Sequence, residues 1–407
     1  MNRGHLSNYF RGVGAKRLSA VEADSGTSNQ HEFNGVAALK SVFGLSERRQ
    51  VSTRFVYLGE TEEDFLLETG RLTWYDSRRG HPTRTEWRLY FTTTTVSEEM
   101  SEGDLVIFGE LADGSMMVIV AAAGSTYESQ LLWLFGLYSD LGRLQISKPE
   151  NGSDRELNYA ARVILSELGI ELEETEEDYL GTMLERFDGS FPSTRQFSSF
   201  ARETLKEVEP LADPDAAVLA WLDQEELLFR TLERHFVQEK LKDGFGDDVD
   251  QFISYSLSVQ NRRKSRAGHA FENHLEQVFT AHEVMFDRGA KTENRSKPDF
   301  LFPGARYYRD VNFPANRLTM LGAKSTCKDR WRQVLAEAAR VDQKHLVTLE
   351  PGISENQTDE MRRQSLQLVL PAELQETYSD DQRDWLMSLG DFIELVDNRQ
   401  SGVTLFS

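Results

Sequence analysis

The stretch Lys297-Pro298-Asp299-Phe300-Leu301-Phe302-Pro303 and the run Met320-Leu321-Gly322-Ala323-Lys324 decide how the C-terminal half folds, with 24 residues between Asp299 and Lys324. Short apolar runs bounded by proline, glycine and charge read as buried strands. Asp299 opens one strand and Lys324 ends the other, so neighbouring strands can bring a carboxylate and an ammonium to one sheet edge. Outward from this pair, residues 307–311 are predicted as a third strand, 328–341 as a helix, and 345–349 and 366–370 as two more strands. This half is mixed α/β.

Upstream, residues 196–208, 216–242, 249–259 and 266–283 read as amphipathic helices, the last with Ala267, Phe271, Leu275, Val278 and Phe279 on one face. The N-terminal half reads differently. Strands are predicted at 51–58, 71–75, 86–94, 105–111 and 116–122, with a hairpin turn at Asp113-Gly114 and a short closing helix at 130–138. That pattern predicts a β-rich barrel or pseudobarrel. The acidic run ELEETEED at 171–178, followed by Gly181, Asp188-Gly189 and Phe191-Pro192, cannot easily pack. The expected division is a domain at 1–175, a linker at 176–190 and a second domain at 191–407, an α+β/α/β two-domain chain whose second domain has a helical leading segment.

Composition is consistent with this division. The 407 residues are 28% charged and 39% hydrophobic, which is ordinary for a globular chain and excludes collagenous or disordered classes. One cysteine, Cys327, excludes an intramolecular disulfide and a cysteine-based zinc site, and with no apolar run of signal-peptide or membrane-span length a cytoplasmic protein with no membrane partner is expected. Net charge is −21, yet it is uneven: residues 1–150 carry 15 basic and 20 acidic groups, 151–250 carry 10 and 25, 251–350 carry 17 and 11, and 351–407 carry 4 and 11. Binding a polyanion is driven by local cationic surface, so the basic island at 251–350 is where one would sit. No G-x-x-x-x-G-K-[ST], H-E-x-x-H or G-x-S-x-G string occurs, which removes the common nucleotide, zinc-protease and serine-hydrolase sites.

Within that island the chemistry-bearing residues are Asp299, Lys324 and Glu337, the last separated from Lys324 by 12 residues. Two carboxylates that leave room for water suit Mg²⁺, and a lysine beside them can orient or deprotonate an attacking water and offset charge on a phosphate. The spacing resembles the variant PD-(D/E)XK pattern in which the second acid has moved onto the following helix. More specifically, NRRKSRAG at 261–268, KPDFLFP at 297–303 and TCKDRWRQ at 326–333 resemble the EcoRII family of type II restriction endonucleases, from about Phe191 to Leu389. With Asp299 and Glu337 as metal ligands, the resemblance implies an α/β/α endonuclease core, a further acid at Glu272, and a target beginning CC and ending GG; Tyr308, beside Asp310 in the string YYRD, can approach the same sheet edge and is an additional candidate. Lys328, Asp329, Arg330 and Arg332 suit readout of G·C pairs, because arginine donates bidentately to guanine and aspartate accepts from cytosine. Asn261, Arg262, Arg263, Lys264 and Arg266 form the densest basic run and are expected to clamp phosphates. Trp331, Phe271 and Cys327 are expected to be packed residues.

The N-terminal half resembles the same family's effector domain through YF…KRLSA at 9–20 and YDSRRGHPTRTEWR at 75–88, which implies a DNA-binding pseudobarrel with His31, Arg84, Glu86 and Arg88 on its DNA face. Pro82 and Val36 depart from the family's lysine and tyrosine. Together these implications describe a homodimer acting on double-stranded DNA, with one copy of the site cut and another bound as effector, the N-terminal domain restraining cleavage, and a cognate methyltransferase protecting the same site. A non-cleaving DNA-binding regulator and a structure-specific repair nuclease are the rival readings.

Overall fold

The computed structural model describes residues 4–23, 31–149, 156–170, 172, 179–327 and 330–402. The chain divides into two compact units, one of residues 1–172 with 351–357, the other of 173–350 with 358–407.

The first unit is built on strands β1 (Phe10–Arg17), β2 (Glu32–Phe33), β3 (Arg48–Leu58), β4 (Phe65–Asp76), β5 (Trp87–Phe91), β6 (Leu105–Leu111), β7 (Met116–Ala121) and β8 (Gln145–Ser147). They form one sheet in the order β2-β5-β4-β3-β7-β6-β1-β8, antiparallel throughout except for the β3–β7 pair. Alternate residues of β6 and β7 enter two different cores: Val106, Phe108, Val118 and Val120 pack on one face, Leu105, Ile107, Met117 and Ile119 on the other. This is why both strands read as continuous apolar runs. The expected closing helix is present one turn earlier, at Thr126–Phe135; Ser125 caps its start by accepting from the Glu128 amide, and Gly136 at φ 61° ends it.

In the second unit, helices Thr194–Thr204, Pro214–Asp243 and Val249–Ala281 precede a sheet of β9 (Asp287–Arg288), β10 (Phe300–Phe302), β11 (Thr319–Lys324), β12 (Lys344–Thr348) and β13 (Leu366–Val369), ordered β13-β12-β11-β10-β9. β11, β12 and β13 run parallel, whereas β10 is antiparallel to both its neighbours. Phe279 of the long helix packs edge-on against Phe300 and Phe302, which fixes the helix beneath the strands that carry the site.

Four expectations need correction. Residues 249–259 and 266–283 belong to one 33-residue helix, because the basic residues between them are good helix formers that pair with the preceding helix. Residues 307–311 do not form a strand: Ala305–Arg309 is a helix whose first amide donates to Asp287 Oδ2 at 2.7 Å. Gly304 makes that turn possible at φ 150°, and a Cβ there would lie 2.8 Å from the same carboxylate oxygen. The expected helix at 328–341 is reduced, among the described residues, to Trp331–Val334. The chain leaves helical geometry at Ala338, φ 49°, where the Arg340 guanidinium gathers the carbonyls of Tyr308, Asp310 and Phe313. Finally, part of the expected linker is structured: Leu180–Arg186 is a helix whose Met183 is buried in a cluster with Phe197 and Phe200. The acidic run 171–178 lies, apart from Leu172, outside the described residues.

Candidate active site

Asp299 sits immediately before β10, and the antiparallel register Phe300↔Leu321 carries it beside the end of β11. Its Oδ2 accepts from the Ala323 amide at 2.7 Å and from Lys324 Nζ at 2.9 Å. Both side chains are mostly shielded, at 17% and 24% exposure, so the pair is screened less than a surface ion pair. Glu337 completes the group from the turn after the Trp331–Val334 helix. Its carboxyl is pushed up to about 7, first by burial and then by the Asp299 charge, against the opposing pull of Lys324 and Lys344. Glu337 Oε2 is buried with no hydrogen-bond partner. Asp299, Lys324 and Glu337 therefore meet as the spacing predicted, although Glu337 comes from a turn.

A buried, unsatisfied carboxylate oxygen beside a second carboxylate fits a divalent cation. Among the described residues no group of three or more histidine, cysteine, aspartate or glutamate side chains converges. Two protein carboxylates suit Mg²⁺, which dehydrates reluctantly and retains water.

The raised carboxyl has a measurable consequence. With its ordinary value of 4.5 in the unfolded chain and about 7 in the fold, ionising Glu337 opposes folding. That cost is absent below the unfolded value and complete above the folded one. Glu337→Gln should therefore stabilise the chelator-treated protein at about pH 8 by about 1–2 kcal/mol after allowance for solvent screening, and by much less near pH 5. Urea melts at the two pH values check this; an equal gain at both would refute it.

Tyr308 does not join this group directly. Buried at 3% exposure, it donates to Glu293 Oε2 at 2.6 Å, and its phenol is pushed up to about 12, first by burial. The Arg340 amide donates to its hydroxyl at 3.2 Å and the Ala339 amide to Glu293 at 3.4 Å. Tyr308, Glu293 and Arg340 thus tie down the chain just past Glu337 and position it. Sequence reading missed Glu293, Arg340 and Lys344, because nothing in their local strings distinguishes them from surface charges. Asp310 is exposed and accepts from the Asn312 amide. Glu272 is bound by Arg288, with Nη2 to Oε2 at 2.7 Å, and the same guanidinium holds Glu276 at 2.6 Å. Glu272 therefore stands in an ion-paired group with Arg288 and Glu276.

The arginines of the basic run have partners within the second unit. Arg266 pairs with Glu225 and Glu226 and lies over the Phe229 ring, Arg263 pairs with Glu233, and Arg262 lies over Phe191. Arg263 and Arg266 thus tie the two long helices together; Asn261 is exposed, and the Lys264 side chain lies outside the described structure. Lys328 and Asp329 also lie outside it. Arg330 is exposed at the start of the short helix, and Arg332 pairs with Glu360 at 2.8 Å while lying over Trp331. Because the helix ends at Val334, Arg330 and Glu337 do not lie on one helix. Trp331, Phe271 and Cys327 are fully buried, as expected.

In the first unit, only Arg88 of the expected alternating trio lies in a strand, since β5 begins at Trp87. Arg88 bridges Glu32 at 2.8 Å and Glu86 at 2.9 Å, and Glu86 also holds Arg78. Arg84 is exposed in the preceding loop, and His31 is half-buried with its ring edge-on to Phe91. The trio therefore does not project from one strand face.

A carboxylate and a lysine tied together on adjacent strands, with an unsatisfied carboxylate beside them, form the donor set that metal-dependent phosphodiester chemistry uses. Residues 229–393, which contain all three, match the family described as EcoRII C terminal. The chain is 41% identical over 226 residues to the type II restriction enzyme EcoRII of Escherichia coli, a match covering 55% of each, so it spans about half the length of that curated relative. Among solved structures it is similar to metal-depleted Ecl18kI in complex with uncleaved, modified DNA (TM-score 0.46, 18% identity, 56% of this chain and 86% of that one). It is also similar to a complex of the restriction endonuclease PspGI with substrate DNA (TM-score 0.43, 14% identity, 52% of this chain and 94% of that one). No helix among the described residues is long and apolar enough to cross a membrane.

Proposed function

We propose that the chain is a type II site-specific deoxyribonuclease that uses Mg²⁺ to make double-strand breaks in DNA at a short CC…GG-type site. The observation that carries this reading is the Asp299–Lys324 pair with the unsatisfied Glu337 carboxylate beside it, in a segment that matches the EcoRII C-terminal family. Asp299 and Glu337 would hold the cation, which when bound supplies charge to offset the phosphate and acidifies water. Lys324, kept on Asp299 at rest, orients the attacking water and faces the charge that grows on the phosphate. The Ala323 amide fixes the Asp299 carboxylate, so one of its oxygens is already committed by the fold.

The finer assignments rest on the resemblance. The first unit binds a second copy of the site as effector and restrains cleavage, through His31, Arg84, Glu86 and Arg88 in a pseudobarrel. The enzyme works as a homodimer in a reducing cytoplasm beside a methyltransferase of the same specificity. The lone cysteine and its burial support that compartment.

Digesting plasmid DNA with Mg²⁺ and sequencing every new end tests the reading. Ends clustered at one CC…GG-type site are expected; scattered ends would favour a structure-specific nuclease, and none a non-cleaving regulator. For Arg330, alanine should cost roughly 1–3 kcal/mol of discrimination at one G·C pair. Cleavage of a library randomised at the site measures that; unchanged preference would remove Arg330 from readout.

A further inference from the structure

The Val249–Ala281 helix carries apolar residues on one face in each of its halves, with Gln260 and Lys264 on that face between them. At about 100° per residue, Val249, Ile253, Leu257, Phe271, Leu275 and Val278 fall in a single stripe. In the second half the stripe is core, with Phe271, Leu275 and Val278 fully buried. In the first half it is bare: Val249 is 65% exposed, Phe252 and Ile253 48% each, and Leu257 53%. Phe252 and Tyr255 reach Phe245 at 5.4 and 5.6 Å, which anchors the adjoining side of the helix but leaves the stripe uncovered. A helix in water draws most of its stability from packing an apolar face, and a row of large apolar side chains left in solvent lacks its partner.

We infer that this face is where a second copy of the chain packs, the two helices crossing antiparallel about a two-fold axis between Ile253 and Ser256. Charge selects this occupant and this direction. The helix opens on Asp247, Asp248 and Asp250, and between three and four turns past the start of the stripe come Arg262 and Arg263. An antiparallel pair lays the acidic opening of each helix alongside the basic turn of the other, whereas a parallel pair would set like against like. Arg263 already holds Glu233 and still leaves 46% of its side chain exposed, so it can meet a second carboxylate. The three aspartates would repel a phosphate backbone, which argues against DNA as the occupant. A self-complementary surface is what a two-fold assembly requires. The inference deepens the reading above by giving the homodimer its contact; it rests on that reading for its use on DNA and stands apart from it for the assembly.

The full-length chain is weighed by sedimentation across a concentration series, beside Ile253→Glu and Ile253→Glu/Leu257→Glu variants checked for helix content by circular dichroism. A wild-type mass of twice 46.5 kDa is expected, with dimer affinity weakened by roughly 100-fold or more in the double variant. Should the glutamates unfold the helix, Ile253→Cys treated with a short bismaleimide gives an independent reading, since Cys327 is buried. It should link chain to chain, while the wild type and Val311→Cys, at an exposed position elsewhere, should not. A monomeric wild type, a dimer unaffected by well-folded glutamate variants, or no linkage through Ile253→Cys would overturn the surface. Plasmid cleavage is scored in parallel: a monomer that cuts sinks the surface and spares the nuclease, and a dimer that cuts nothing does the reverse.

Discussion

Lys324→Ala should lower the cleavage rate by roughly 10³-fold or more while leaving the fold and DNA binding intact. Lys324 Nζ is the one cation whose bond to Asp299 the structure resolves, at 2.9 Å, and it opposes the charge that raises Glu337. Without it, two carboxylates face an incoming phosphate with no protein cation between them, so the loss falls on the chemical step. The strand is unharmed, because β11 is held by its ladders to β10 and β12 and not by this side chain. Single-turnover cleavage with enzyme in excess, alongside gel-shift binding in Ca²⁺, separates the two. Equal loss of binding and cleavage would reassign Lys324 to DNA contact.

The second large effect concerns stability. Arg266→Ala should destabilise the second unit by about 3–5 kcal/mol, because it removes the counter-charge from a carboxylate that cannot reach water. Glu225 is fully buried, Arg266 is 10% exposed, and His274 Nε2 lies 2.9 Å from Glu225 with its imidazole pushed down by burial. A mostly neutral histidine cannot replace the guanidinium. Arg266→Met, which keeps the packing over Phe229, should lose nearly as much, since the charge is what Glu225 needs. Urea unfolding measures both; a loss under about 1 kcal/mol would return Arg266 to the class of solvated surface cations.

This arginine also shows where sequence reading succeeded and failed. Asp299 and Lys324 were legible because each is anchored to a short apolar run, and strand pairing then brings them together with little freedom. Glu337 was legible as a residue but not as a local structure: its turn is imposed by Arg340, whose carbonyl partners lie about 30 residues earlier in the chain. The ion pairs of the basic run left no local trace for the same reason. NRRKSRAG reads as a solvent-facing cluster until Glu225, Glu226 and Glu233 are placed opposite it by the helix-to-helix turn at 244–248. The acidic spacing on that earlier helix was the available signal. In the first unit the strands were readable from alternation, whereas the Arg88–Glu32 bridge joins strands far apart in sequence and left no local trace.

The 33-residue helix is finally a keyed shaft. It runs about 50 Å without a break, from its bare opening turns to the phenylalanines under β10. A rod transmits rotation as well as distance: inserting one residue near Ser265 would turn everything before it by about 100° relative to the sheet, swinging the bare stripe off its bearing while leaving each half locally intact. The angular phase of the first turns against the Asp299–Lys324 edge is thus held by residue count, so the number of residues in this helix matters mechanically even where a side chain contributes little.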